Sequence, residues 1–211
     1  MKYIIDNVEY EVVIQKKNNK NTYIRVKDDL KIYVTTNYFV TKSMIKQILD
    51  NNYGYLSRNI EKQKIKQEKN NEFYYLGEKY DIIFFDSKKI EIINNRIYVK
   101  DEATLNRWLK KEIKRIFSER LAIIYNEFEE DIPYPNLRIR HMTTRWGVCN
   151  KKSITVTLNS ELIRYSLDKL DYVIIHELSH LIHFNHSKEF WTLVSKYCPR
   201  YKEIRKELKD W

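Results

Sequence analysis

The chain has little to loosen it: three glycines and three prolines in 211 residues. That scarcity excludes disordered Gly- or Pro-rich linkers and leaves no Gly-rich loop of the kind that cradles a phosphate. The only cysteines, Cys149 and Cys198, are too few for a disulfide framework. A secretory leader is not expected, because Met1-Lys2-Tyr3-Ile4-Ile5-Asp6 meets an acid before any apolar stretch builds up. The two thiols therefore read as reduced, and the chain as cytoplasmic. No apolar run approaches the ~20 residues of a membrane span. No methionine follows Met142, and no internal repeat is evident.

Basic residues are plentiful. Lys and Arg number 39 against 29 Asp and Glu, a formal charge of +10. A polyanion such as nucleic acid would suit that balance. Charge alone is a weak footprint, however, and no compact basic run stands out beyond the crowding of Lys62, Lys64, Lys66 and Lys69.

The chain is long enough for one or two domains with a proper core. Residues 8 to 35 alternate as a β-meander, with turns at Lys17-Asn18-Asn19-Lys20 and Asp28-Asp29. From Thr41 to about Gln67 the period becomes helical, carried by Ile45, Ile48, Leu49, Tyr53, Leu56 and Ile60 and capped by Ser43 or Thr41. Strands return over residues 72 to 100, with Gly77 and Asn94-Asn95 as turns. Asp101 opens a long helix whose inner face runs from Leu105 to Phe128. Leu137 to Met142 and Ser153 to Leu158 read as antiparallel neighbours. Ser166 or Asp168 can cap the next helix. Segments 187–197 and 200–210 complete the chain, broken at Pro199. The expected division is a β-rich accessory region with one helix, 1–100, and a second domain, 101–211. The fold class is α+β.

Four of the five histidines fall within residues 176 to 186. They begin as His176-Glu177-Leu178-Ser179-His180. On a helix, residues four apart lie about 40° apart around the axis, one turn above each other. His176 and His180 can therefore aim two imidazoles at one ion. The apolar run before them, Leu170 to Ile175, takes this helix into a core, where a metal relieves the cost of burying polar groups. Zinc held by three protein ligands keeps a position for water and lowers that water's pKa to about 7. Glu177, beside the first ligand, can take the proton and pass it to a leaving group. The pattern points to metal-assisted hydrolysis.

For the third ligand, a straight helix would favour His183, but His176, His180 and His183 in series cannot wrap one ion. A left-handed Asn185 would end the helix and Ser187 would cap the next, swinging His186 back. His186 is thus favoured, with His183, Glu189 and Glu203 as alternatives. The H-E-x-x-H-x-x-x-x-x-H spacing also fits metzincins, but His183 occupies their glycine position and a downstream Met-turn is impossible. Arg145 and Trp146 are candidates to line the site, Arg145 as a grip for an oxyanion or carboxylate; a structural turn is the competing reading. Tyr172, Tyr197 and Tyr201 are candidate hydrogen-bond donors, Cys149 reads as a packed thiol, and Phe190 and Trp191 as supports for the His186 loop.

These residues resemble the YgjP-like metallopeptidases, a family of the zincin type. The resemblance rests on Arg145-Trp146-Gly147-Val148-Cys149, on Ile154 to Leu162 with Asn159, on Asp171 to His180, on Asn185-His186-Ser187 with Phe190-Trp191, on Leu76-Gly77-Glu78-Lys79-Tyr80 and on Cys198-Pro199-Arg200-Tyr201. It implies a zincin-like α+β core, His176, His180 and His186 as Zn2+ ligands, Glu177 as general base, and a peptide or protein substrate. Val148 stands where the family usually has serine. The strand at 153–158 is the expected edge for pairing with a substrate peptide. More distant similarity to SprT-like and Wss-type proteases keeps nucleic acid among the partners to consider. Two other readings remain: a metal-dependent hydrolase of another bond, such as a nucleotide phosphoanhydride, and a DNA-associated module with structural zinc.

Overall fold

The computed structural model describes residues 1–86 and 89–209, without the side chains of residues 66 and 68–71. The side chains of Lys66 and Lys69 in the basic stretch, and Asp210 at the end of the last expected helix, lie outside what is described. Two compact units are present, Met1–Asn71 and Glu72–Trp211. No helix among the described residues is long and apolar enough to cross a membrane.

In the first unit the alternating segments form β1 (Lys2–Ile5), β2 (Val8–Lys16), β3 (Tyr23–Val26) and β4 (Ile32–Thr36). They are not a meander. The order is β1-β2-β4-β3, and β4 runs parallel to β2. The β3–β4 hairpin folds back so that β4 takes the inner position, because its one face, Ile32, Val34 and Thr36, is wholly buried. Strand β1 was not expected. It pairs with β2 through Asp6 and Asn7, both in the left-handed region (φ 49° and 64°). The single expected helix is two, α1 (Lys42–Asn51) and α2 (Tyr53–Asn71), parted at Asn52. Thr41 caps α1 by accepting from the Met44 amide. Ile45, Leu49, Leu56 and Ile60 close the core over the sheet.

The second unit begins with β5 (Phe73–Tyr75), β6 (Glu78–Phe84), β7 (Glu91–Ile93) and β8 (Arg96–Val99), in the order β5-β6-β8-β7. This repeats the first sheet: an antiparallel pair, a parallel pair β6–β8, and an antiparallel hairpin β7–β8. The repeat leaves only short traces in the sequence, Tyr10-Glu11-Val12-Val13 beside Tyr80-Asp81-Ile82-Ile83, and Ile32-Tyr33-Val34 beside the identical Ile97-Tyr98-Val99. The expected turn at Asn94-Asn95 is present, both residues left-handed.

The boundary expected at residue 100 falls inside this unit. Tyr75 shares a core with Phe117 and Leu178, and Ile97 and Val99 pack with Leu105. The helix α3 (Glu102–Glu127), capped by Asp101, runs from that sheet to the rest of the unit. Its Arg120 meets Asp171 through two hydrogen bonds of 2.7 Å, tying it to α4 (Leu167–Ile182).

A three-stranded sheet follows: β9 (Asn136–Arg140), β10 (Gly147–Asn150) and β11 (Thr155–Asn159), ordered β10-β11-β9. Here two expectations fail. The segments at 137–142 and 153–158 are parallel, not antiparallel, because β10 folds back between them in sequence and pairs with β11 on its other side. For the same reason β11 is the central strand, with Val156 and Leu158 fully buried, and the free edge next to α4 belongs to β10. A 3-10 helix (Ser160–Arg164), α5 (Lys188–Tyr197) and α6 (Tyr201–Glu207) complete the unit.

Candidate metal centre

α4 is buried on most of its surface, from Leu170 to Leu181. Such a helix is rare on a protein surface and needs cover on several sides. α3, α5, α6 and β10 supply it. The chain enters it through Ser166, against which Gly77 sits so closely that a Cβ on Gly77 would lie 2.9 Å from the Ser166 nitrogen. The Leu76 amide also donates to the Ile163 carbonyl at 2.8 Å. The start of the histidine helix is thus fixed by the β5–β6 turn.

At the other end the reversal differs from expectation. Asn185 has no positive φ; His183 leaves the helix in an extended conformation instead (φ −107°, ψ 111°). Its carbonyl lies 3.1 Å from His180 Nδ1. A proton held there leaves Nε2 of His180 free as a lone pair. Ser187 caps α5 as expected, accepting from the Phe190 amide.

This turn brings His186 back. His176 Nε2 and His186 Nε2 are 3.1 Å apart, and ligand atoms of His176, His180 and His186 all lie within 4.8 Å of one another. Nitrogens about 2.0–2.1 Å from a tetrahedral ion sit about 3.4 Å apart, so three imidazoles in this grouping suit a divalent metal. Among the described residues this is the only group of three or more potential ligands of its kind. His183 and Glu189 are outside it, and Glu203 is paired with Arg200 at 2.8 Å. Burial, then the neighbouring His180 and His186, then Arg205 push His176 down to about 3; His180 is lowered too, chiefly by burial. Both imidazoles are therefore neutral, as metal ligands must be. His176 Nδ1 is buried without a partner.

Phe190, fully buried, floors the cluster, its ring centroid 4.6–4.9 Å from those of His176, His180 and His186. Trp191 stacks on His186 at 5.5 Å, and Tyr201 stacks on Trp191 at 5.1 Å. The expected support of the His186 loop by Phe190 and Trp191 is thus visible as ring contacts.

Glu177 is only 5% exposed. Its carboxylate rests against the main chain of β10: a Cβ on Gly147 would come within 2.5 Å of Oε1. Burial pushes Glu177 up to about 8, while a hydrogen bond from the Cys149 main chain and the charge of Arg145 work the other way. Arg145 is thus close enough to act on Glu177, though its own side chain is exposed. Trp146 is structural: its indole donates to the Leu208 carbonyl at 3.1 Å and packs edge-on against Tyr165. Asn159 shapes the loop between. Its amide donates to the carbonyls of Met142 and Arg145 (2.7 and 2.9 Å) and its oxygen accepts from the amides of Met142 and Glu161 (both 3.2 Å).

The remaining candidates separate. Tyr197 serves the fold, donating to Glu130 and accepting from the Glu129 amide. Tyr172 packs edge-on to His176. Cys149 is half-buried, and its thiol is raised to about 11 by burial and by Glu177. The parts that Gly147 and Arg205 play at the site were not expected. Gly147 carried a signal, being a glycine inside a strand, which often marks close approach. Arg205, poised on Trp191, carried none.

A family model for the YgjP-like metallopeptidase domain matches residues 20–211. Among solved structures, the chain is similar to the metallopeptidase zymogen abylysin of Pyrococcus abyssi, with 27% identity over 46% of this chain and 90% of that one, TM-score 0.37. It is also similar to the metallopeptidase zymogen jannalysin of Methanocaldococcus jannaschii, with 26% identity over 46% and 92%, TM-score 0.36. No curated protein matches. With nearly its whole length matched, the chain belongs to the YgjP-like metallopeptidase family.

Proposed function

We propose that this chain is a zinc-dependent peptidase that cleaves protein or peptide substrates, with His176, His180 and His186 as the metal ligands and Glu177 as general base. The convergence of three imidazoles beside one braced carboxylate is the observation that carries this reading. A zinc ion bound there would polarise the scissile carbonyl and acidify a water molecule. Glu177 would serve as the base that accepts a proton from the attacking water and as the acid that returns it to the departing amine. Gly147 lets the carboxylate approach without a side chain in the way, so little reorganisation accompanies the transfer. Arg145, on the Glu177 side, offers a cation to a developing negative charge or a substrate carboxylate.

The test combines metal analysis with proteolysis of an unfolded protein. Glu177→Gln should keep the metal and lose at least a hundredfold in turnover. His186→Ala should lose the metal, whereas His183→Ala should keep it. Metal loss from His183→Ala alone would reassign the third ligand. Hydrolysis of nucleoside triphosphates, with proteins untouched, would move the activity to another bond.

A further inference from the structure

A second arginine stands at this site, on the side of His186 rather than Glu177. Arg205 is exposed, and its guanidinium carbon lies 4.9 Å from the centre of the Trp191 ring. That is within the ~6 Å over which a cation is held by an aromatic face. Trp191 in turn is 5.5 Å from His186 and 5.8 Å from His176, centre to centre. Tyr201, one turn earlier on α6, stacks on the same indole.

The helix that carries Arg205 is anchored. Ile204 and Leu208 are buried, Lys169 pairs with Glu207 at 2.7 Å, and the Leu208 carbonyl accepts from Trp146. Among the described residues no carboxylate lies within ion-pair distance of Arg205, although neighbours on the same helix, such as Glu203 and Glu207, are paired with other cations. The guanidinium is therefore fixed, water-facing, uncompensated, and close to the imidazoles.

We propose that Arg205 is a specificity-determining residue that binds a carboxylate of the substrate peptide beside the metal centre. This rests on the peptidase reading, under which the anions of the substrate are carboxylates. A planar guanidinium pinned on an indole presents its N–H donors in a fixed fork, which fits a carboxylate oxygen pair. The carboxylate comes from a Glu or Asp side chain near the cleaved bond or from the C-terminus of a short peptide.

Matched peptides separate the two sources: one sequence carrying Glu or Gln, each with a free or an amidated C-terminus. Dissociation constants are measured on zinc-loaded Glu177→Gln protein, where binding is read without turnover, and cleavage is measured on the wild type. Preference for one of the carboxylate forms should be roughly tenfold, the scale of a hydrogen bond to a charged group. Adding Arg205→Gln should bring the ratio of carboxylate to neutral binding to about one, and Arg205→Glu should invert it. The Glu/Gln pair or the free/amidated pair, whichever responds, names the source. A ratio unchanged in both variants, or no carboxylate preference with Arg205 in place, overturns the proposal. An Arg205-dependent preference without cleavage of any peptide by the wild type supports it while overturning the peptidase reading.

Discussion

The two four-stranded sheets share a strand order and a pattern of residues, and they end in different architectures. Each opens with a hairpin whose two-residue turn is left-handed, Asp6-Asn7 in one and Leu76-Gly77 in the other. Each buries an Ile-Tyr-Val strand, with Ile32 and Val34, and Ile97 and Val99, fully enclosed. Each is followed by a helix whose cap accepts from the amide three residues on, Thr41 for Met44 and Asp101 for Thr104. The first sheet closes over its own two helices. The second hands its core to α3, which buries Leu105 near the sheet and Phe117, Leu121 and Ile124 among the residues around the histidine helix. The same local instructions thus give a self-contained unit or a buttress for chemistry, depending on the length of the helix that follows.

That contrast can be broken most severely with fragments. Residues 72–211 should fold cooperatively and take up one equivalent of metal. Residues 101–211 should not fold, having lost Tyr75 from the core and the Leu76–Ile163 hydrogen bond. A folded, metal-binding 101–211 would restore the boundary first expected at residue 100. Circular dichroism and metal content distinguish the outcomes.

Matched core truncations sharpen it. Ile32→Ala and Phe117→Ala should each cost about 3–4 kcal/mol, the usual loss for a large buried side chain. Only Phe117→Ala should lower metal uptake on mild warming, because only that core surrounds the histidines. Equal effects on uptake would mean that the two cores are coupled.

The corresponding turn positions should differ too. Asn7→Ala should cost about 1 kcal/mol, the ordinary penalty of a left-handed alanine. Gly77→Ala should cost more, as its Cβ would meet the Ser166 backbone at 2.9 Å, and melting curves should rank the two. The smallest effect concerns acid. Hydrogen bonds from Ser57 and then Tyr53 hold the Asp6 carboxyl below its usual range, so its contribution is present above the unfolded pKa near 4 and fades as pH falls through the lower folded value. Asp6→Asn should flatten the acid limb of the first unit's stability, with no counterpart for Leu76. A limb of unchanged slope would remove Asp6 from the account.

Much of the site was legible because it is local. Four-residue spacing set His176 and His180 on one face, and the Ser187 cap followed from residue type. Strand existence was legible for the same reason. Strand pairing was not: in all three sheets a parallel pair joins strands that are not consecutive, β2–β4, β6–β8 and β9–β11. Alternation along a strand says which face is buried, not which partner lies alongside. The repeat went unseen because its matching residues are few and scattered, and the rest of it lies in pairing and burial. The approach of Gly147 to Glu177, and Arg205 to Trp191, join segments far apart in the chain, and no short pattern announces either.

The acid that faces the imidazoles is seated on peptide backbone. Gly147 contributes emptiness and Cys149 an amide. Side chains in a strand alternate, so position 148 projects from the opposite surface of β10. Val148 therefore belongs to the far side of the strand, away from the seat of the carboxylate. A change of side chain at 148 should thus leave the reactive geometry in place.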